Sequence, residues 1–375
     1  MNPDIFLLKI LTADLECLIL WLLEKRPAPL SLLRTANPGW WTDLRRHRLF
    51  PLLYARLRHA GLDESLPEAM AQLVKHDYLV ALQLFLGQER QSRRLLARLG
   101  NAGIEAILLK GADLRLRLYE DPATRPMTDI DLLVSPASMK AVASLLENSG
   151  YIIRSDSVGH RPGFRERYRV GLHMQPPPPD SLMLDLHWEL EGVASYYRLP
   201  FERLASQAQT LDWKGIAVRV LSPEHLLLHL CLHNYDEGDD ALGLLDMGLI
   251  LTRLPLNWER FLSEAAHCRC QAPSLIMLKG LAELLPGAVP SWVMDELGNY
   301  VPAGIERLVL RRHHHPLARL LGPLAQQRRP SSWVAYMVAL LWPDPSYLHA
   351  VKGNPSRRAY LTSSLRYFCS RRRNQ

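Results

Sequence analysis

The chain has 375 residues, 48% of them apolar and 22% charged. That material is ample for a buried core, predicts two or three structural units and excludes wholesale disorder. The net charge of +7 is unevenly placed: from Val301 onward 13 Lys and Arg stand against 2 Asp and Glu, a net of +11, so the first 300 residues carry −4. From the N-terminus, the Leu- and Ile-rich stretch Ile5 to Leu23 is interrupted by Lys9, Asp14 and Glu16. It reads as an amphipathic helix. The order of charge, unbroken apolar run and small residues that marks a signal peptide is missing, so a cytoplasmic protein is expected. No run reaches the ~18 apolar residues of a membrane span.

Up to Leu99 apolar residues recur every three or four positions, and Pro27, Pro29 and Pro38 break the pattern. About four helices are expected over residues 1–100. Gly103 then ends a helix, and Ile104 to Leu109 is a short apolar strand. Lys110-Gly111 leads into a helix from about Asp113 to Tyr119, and Asp121-Pro122 and Arg125-Pro126 mark a loop. Strands are expected over Thr128 to Val134, Tyr151 to Ile153, Met183 to Leu190 and Ile216 to Leu221, with a helix from about Ala137 to Asn148. Pro176 to Pro179 reads as an extended loop. Ser222-Pro223 then caps a helix, and the chain stays helical almost to its end. The expected class is α+β: a small mixed β-sheet core over residues 101–222, flanked by an N-terminal helical region (1–100) and a C-terminal helical region with a basic tail (223–375).

The chemistry-bearing residues lie in the sheet region. Alternation along a strand puts Asp129 and Asp131 on one face and Ile130 and Leu132 on the other. Two carboxylates a pleat apart repel, and a cation between them relieves this; Mg²⁺ takes one or two carboxylates plus phosphate oxygens. By the same alternation Asp185, His187 and Glu189 share a face. If that strand lies beside the first, Asp185 completes a three-carboxylate cluster able to hold two metals about 3.5–4 Å apart. Asp185 then acts as general base on an acceptor hydroxyl or as a ligand of the second metal. Lys110-Gly111, after a strand and before a helix, offers a point charge, close backbone approach and free N–H groups to phosphate; Arg125 offers a fork of donors. Each feature also has a plainer reading, as an exposed polar strand face, a turn or a loop cap. Their order is more specific than any one of them.

Leu108-Leu109-Lys110-Gly111, Tyr119, Arg125-Pro126-Met127-Thr128-Asp129-Ile130-Asp131-Leu132-Leu133-Val134 and Leu184-Asp185-Leu186-His187-Trp188 together resemble the uncharacterised nucleotidyltransferase family of the polymerase-beta-like superfamily. Leu221 to Leu230, His233 and Asp246 fit its helical part. The resemblance implies Mg²⁺ and a nucleoside triphosphate donor, ATP favoured. By position it makes Gly111 the phosphate-turn glycine, Asp129 and Asp131 the metal pair and Asp185 the third carboxylate. Where the superfamily's turn commonly reads Gly-Gly or Gly-Ser, this chain reads Lys-Gly-Ala, with 17 residues between Gly111 and Asp129. A small-molecule or peptide acceptor is also implied.

Other residues invite a function. His225, His229 and His233 fall on one helical face; with no carboxylate among them, helix packing or partner contacts are preferred over a metal ladder. Asp246, in an apolar helix, can cap, pair with a basic group or face the nucleotide cleft. Cys268 and Cys270 form a CxC without a second pair nearby, and the five cysteines are spaced irregularly, which argues for ordinary thiols. His313 to His315 reads as a solvated loop. Trp333 to Trp342 reads as a buried helix, or as one lying in a membrane interface. The basic tail suits an anionic partner (nucleic acid, lipid or an acidic protein) or is a solvated face.

Overall fold

The computed structural model describes residues 12–154, 164, 170–192, 196–237, 240–302, 304–312, 324–325, 330–352, 356 and 358–360. His313 to His315 and the basic residues from Arg366 onward lie outside them. Five α-helices come first: α1 (Ala13–Leu22), α2 (Leu30–Thr35), α3 (Pro38–Arg46), α4 (Phe50–His59) and α5 (Glu68–Asn101). Their starts follow capping chemistry. Thr12 Oγ1 accepts from the Leu15 N–H, and Asn37 Oδ1 accepts from the Trp40 N–H ahead of a proline in the first turn. α5 runs 34 residues, longer than expected, and ends with Gly103 in the left-handed region at φ 67°.

α5 also anchors the sheet. Its Gln88 and Gln91 are buried, and each donates its amide to a backbone carbonyl, Gln88 to Met127 at 3.0 Å and Gln91 to Leu182 at 2.7 Å. Gln91 Oε1 accepts from the Leu182 N–H at 3.0 Å. Met127 stands two residues before, and Leu182 immediately before, the two strands that carry the candidate carboxylates.

Those strands are β2 (Asp129–Val134) and β5 (Met183–His187). With β1 (Ala106–Leu108), β3 (Ile152–Ile153), β4 (Gly171–Gln175), β8 (Gln209–Trp213) and β9 (Ile216–Val220) they form a mixed sheet in the order β3-β4-β5-β2-β1-β9-β8. β2 runs parallel to β5 and antiparallel to β1. The expected strand from Met183 to Leu190 is two: it breaks at Trp188, and β6 (Glu189–Gly192) leaves to pair with β7 (Tyr197–Pro200) in a separate hairpin. Glu189 therefore pairs with Pro200 in that hairpin, accepts from Arg198 Nη1 at 3.2 Å and does not join Asp185.

The helix after β1 is α6 (Lys110–Leu118), which starts three residues earlier than expected, and α7 (Met139–Glu147) follows β2. Side-chain parity assigns the two faces of the sheet. Ile130, Leu132, Leu184 and Leu186 pack with α7 and the end of α5 in one core. Ile107, Leu109 and Leu133 join a larger core that draws on α1 to α5, the hairpin and the C-terminal helices. Asp129 and Asp131 share Leu133's side of the strand, so they face the C-terminal helices. Residues from all three expected regions thus contribute to one core.

After the short α8 (Phe201–Ser206) come α9 (Pro223–Glu237), α10 (Ala241–Arg253), α11 (Trp258–His267), α12 (Gln271–Leu284), α13 (Ser291–Gly298), α14 (Gly304–Arg312), α15 (Pro330–Leu341) and α16 (Pro345–Lys352). A Cβ on Gly192 would meet Leu232 at 2.7 Å, so glycine there lets β6 lie close on α9. α15 buries Tyr336 and Ala339 but leaves Trp333, Val334 and Trp342 exposed. Among the described residues no helix is long and apolar enough to cross a membrane.

Candidate active site

The register of β2 on β5 sets Asp131 directly opposite Asp185, and Asp129 opposite Met183. One carboxylate oxygen each from Asp131 and Asp185 and a ring nitrogen of His187 lie within 4.8 Å of one another. Asp131 is the hub. It is 3% exposed, accepts from Lys110 Nζ at 2.7 Å and lies 3.1 Å from His187 Nε2, both through Oδ1. Burial alone would push its carboxyl up, but the Lys110 ammonium and the His187 ring hold it well below the usual carboxylate range. An ionised carboxylate only accepts, so the His187 proton facing it is on Nε2.

The neighbouring carboxyls shift the opposite way. Burial raises Asp129, and the Asp131 charge adds to the rise. Burial also raises Asp185, partly offset by His173, whose Nε2 is 3.7 Å from Asp185 Oδ2. Lys110 feels all three aspartates; burial would lower its pKa, but Asp131 above all outweighs this and raises it. The site therefore concentrates negative charge around one half-buried ammonium.

β4 builds the seat for His187. Gly171 pairs with it across the ladder, and a Cβ at Gly171 would come within 3.2 Å of His187 Nδ1. His173, next along the same face, reaches Asp185. Neither His187 as a possible ligand nor β4 was expected; alternation placed His187 beside Asp185 in sequence, but nothing marked which strand would supply its other wall.

Lys110 and Gly111 form the first turn of α6, and Lys110 holds a left-handed φ of 43°. Leu109, at the cap position, has no side chain to satisfy the first N–H groups, which leaves them for a ligand. A Cβ on Gly111 would lie 2.7 Å from Arg125 Nη1 and 3.2 Å from the Met127 Cβ. Arg125 thus stands behind the turn. Its fork is directed at Asp246 on α10, with Nη2 to Oδ2 at 2.7 Å, and Tyr119 Oη donates to Asp246 Oδ1 at 2.6 Å. Of the openings left for Asp246, pairing with a basic group is the one observed. Burial opposes the Arg125 charge, yet Asp246 outweighs it and raises the arginine further.

The histidines of α9 divide. His225 Nε2 is 3.2 Å from Glu264 Oε2 on α11, a packing role. His229 and His233 stack with centroids 6.1 Å apart, near enough to feel the charges of Lys110 and Asp131. Burial lowers both, His233 to about 3. Cys270 is buried, and Cys268 is half-buried beside it.

Asp131, Asp185 and His187 suit a divalent ion by donor chemistry: two carboxylates converge with an imidazole, and among the described residues Lys110 on Asp131 and His173 near Asp185 are the basic groups drawn to them. Asp129 sits at the edge of this set. Lys110, Gly111 and the three aspartates expected from sequence are gathered at one place, and Arg125 lies one layer behind.

No curated protein matches the chain. Matches among solved structures include ANT(2")-Ia in complex with adenylyl-2"-tobramycin, 16% identical with a TM-score of 0.36, covering 49% of this chain and 98% of that one. Another is an antigenic nucleotidyltransferase-like protein from Paracoccidioides brasiliensis, 14% identical with a TM-score of 0.32, covering 56% and 92%. Residues 40–286, from within α3 through α12, match the family described as an uncharacterised nucleotidyltransferase, and the chain belongs to that family.

Proposed function

We propose that the protein is a Mg²⁺-dependent enzyme that moves a nucleoside monophosphate from a nucleoside triphosphate, ATP favoured, onto a small-molecule or peptide acceptor and releases pyrophosphate. The observation that carries this reading is Asp131 paired with Asp185 across two parallel strands, beside the Lys110–Gly111 turn. Asp129, Asp131 and Asp185 would hold one divalent ion or two, which would supply positive charge to offset that developing on the donor phosphates.

The chain's own groups supply the rest. Gly111 lets a phosphate reach the open N–H groups of α6, and Lys110 carries its ammonium from Asp131 toward that phosphate. Arg125 holds the turn from behind through Asp246. Asp185, its carboxyl raised by burial, is suited to take the proton of an acceptor hydroxyl as that oxygen bonds to the α-phosphorus and the bridging oxygen leaves with pyrophosphate.

Calorimetric titration of ATP, GTP, CTP and UTP with Mg²⁺ tests this, repeated on Asp129→Ala/Asp131→Ala. Metal-dependent binding of a triphosphate that is lost in the double variant is the expected result. Undiminished binding or turnover in that variant would sink the assignment. A second reading, a nucleotide-binding scaffold without chemistry, is favoured by one observation: Lys110 already occupies Asp131 Oδ1 at 2.7 Å. Bound nucleotide with no pyrophosphate released to any acceptor would select it.

A further inference from the structure

A second pocket lies on the far side of the phosphate turn, where α3, α4 and α5 meet the loop before β2. It encloses about 320 Å³, a volume suited to a small organic ligand. Its walls are largely apolar, with Phe50, Ala81, Leu84 and Met127 among them. Two arginines at its mouth are already neutralised, Arg45 by Asp77 and Arg48 by Asp240.

Arg115 is different. It lines the pocket, is 5% exposed and has no carboxylate partner among the described residues. Its Nε donates to the Arg125 carbonyl at 2.6 Å and its Nη1 to Gln88 Oε1 at 2.8 Å, while Phe85 covers one face at 5.4 Å. Nη2 makes no hydrogen bond among the described residues. Two neighbouring arginines of low exposure do hold a carboxylate: Arg117 has Asp113 and Arg125 has Asp246. Burial, with the nearby charge of Arg125, lowers the Arg115 pKa to about 9. A buried guanidinium without a counterion is costly unless something supplies one.

We propose that this pocket binds a small organic carboxylate with an apolar body, the carboxylate on Arg115 and the body against Phe50, Leu84 and Met127. A carboxylate matches the fork of a guanidinium better than a spherical anion does, and the apolar walls have no use for an inorganic ion. The ligand would also touch the segment that braces Gly111, since Arg115 holds the Arg125 carbonyl and Met127 packs against that glycine. The site rests on its own geometry and stands whether or not nucleotidyl transfer is the activity.

N-acetyl-L-leucine is the probe, and its amide N-acetyl-L-leucinamide the control. The full-length protein is labelled at methionine methyl groups, and the Met127 signal is identified by its loss in Met127→Leu. The acid should shift that signal saturably in the millimolar range, and the amide should bind about tenfold more weakly or not at all. Arg115→Gln should abolish the shift. Leu84→Glu, at an exposed helix position lining the same pocket, should also abolish it by supplying a resident carboxylate, without disturbing the fold. Equal binding of acid and amide, an equal shift with inorganic phosphate, no shift with the acid, or binding retained in Leu84→Glu would each overturn the proposal. If Arg115→Gln fails to fold, Leu84→Glu and the amide decide.

Discussion

Asp246→Ala is the sharpest test of how the phosphate turn is held. The Asp246 carboxylate is buried at 1% exposure and satisfies two partners, the Arg125 fork and the Tyr119 hydroxyl. Removing it strands a guanidinium that is itself only 12% exposed. Breaking a buried pair from one side costs about 3–5 kcal/mol, and the orphaned phenol adds about 1 kcal/mol. At about 2 °C per kcal/mol for a chain of this size, thermal unfolding should fall by roughly 8–12 °C. Differential scanning calorimetry reads this directly. The double variant Arg125→Met/Asp246→Leu replaces both charges with apolar volume and should recover much of the loss, because the penalty is an uncompensated charge and not a missing attraction. A single variant within about 2 °C of the parent, or a double variant as unstable as the sum of the two singles, would refute the reasoning.

Gly111→Ala should cost about 1–3 kcal/mol in unfolding titrations and weaken triphosphate binding, since the added methyl meets Arg125 Nη1, which Asp246 keeps from moving aside; unchanged affinity would separate the turn from phosphate. Stability should fall as pH drops from about 6.5 toward 3. His233 titrates near 3 in the fold and His229 is also depressed, against an ordinary 6.5, so below 6.5 the unfolded chain takes protons that the folded one refuses. Their contribution is complete above pH 6.5, and His229→Leu/His233→Leu should flatten that part of a pH–stability curve. Deleting the residues after Pro355 should abolish binding to anionic vesicles or RNA while sparing triphosphate affinity; retained binding would make the tail a solubilising face.

The carboxylate strands were legible because alternation is a strong local signal: Asp129 and Asp131 flank Ile130, and Asp185 lies between Leu184 and Leu186. Their parallel pairing in register was not local, and it came only with the sheet. The break at Trp188 was hidden for the same reason. Leu184, Leu186, Trp188 and Leu190 are all buried, so the alternation runs through the break without interruption. Lys110 was read as a linker before the helix because its left-handed backbone gives no compositional sign. Arg125 was assigned to phosphate from its chemistry, while Asp246, 121 residues away, decides where its fork points. Gln88 and Gln91 carry no local sign of their burial, which depends on which strands come to lie beneath them.

Those two glutamines act as a ruler. They stand three residues apart on α5, a rise of about 4.5 Å along a helix, close to the roughly 4.8 Å between neighbouring strands. One amide grips the chain entering β2 and the other the chain entering β5, so the spacing of the two strands matches the rise of three helical residues before either strand begins. A single residue inserted between Gln88 and Gln91 would turn one amide by about 100° around the helix and release one strand from its gauge. The gap between the two carboxylates would then be lost through a change lying outside the sheet altogether.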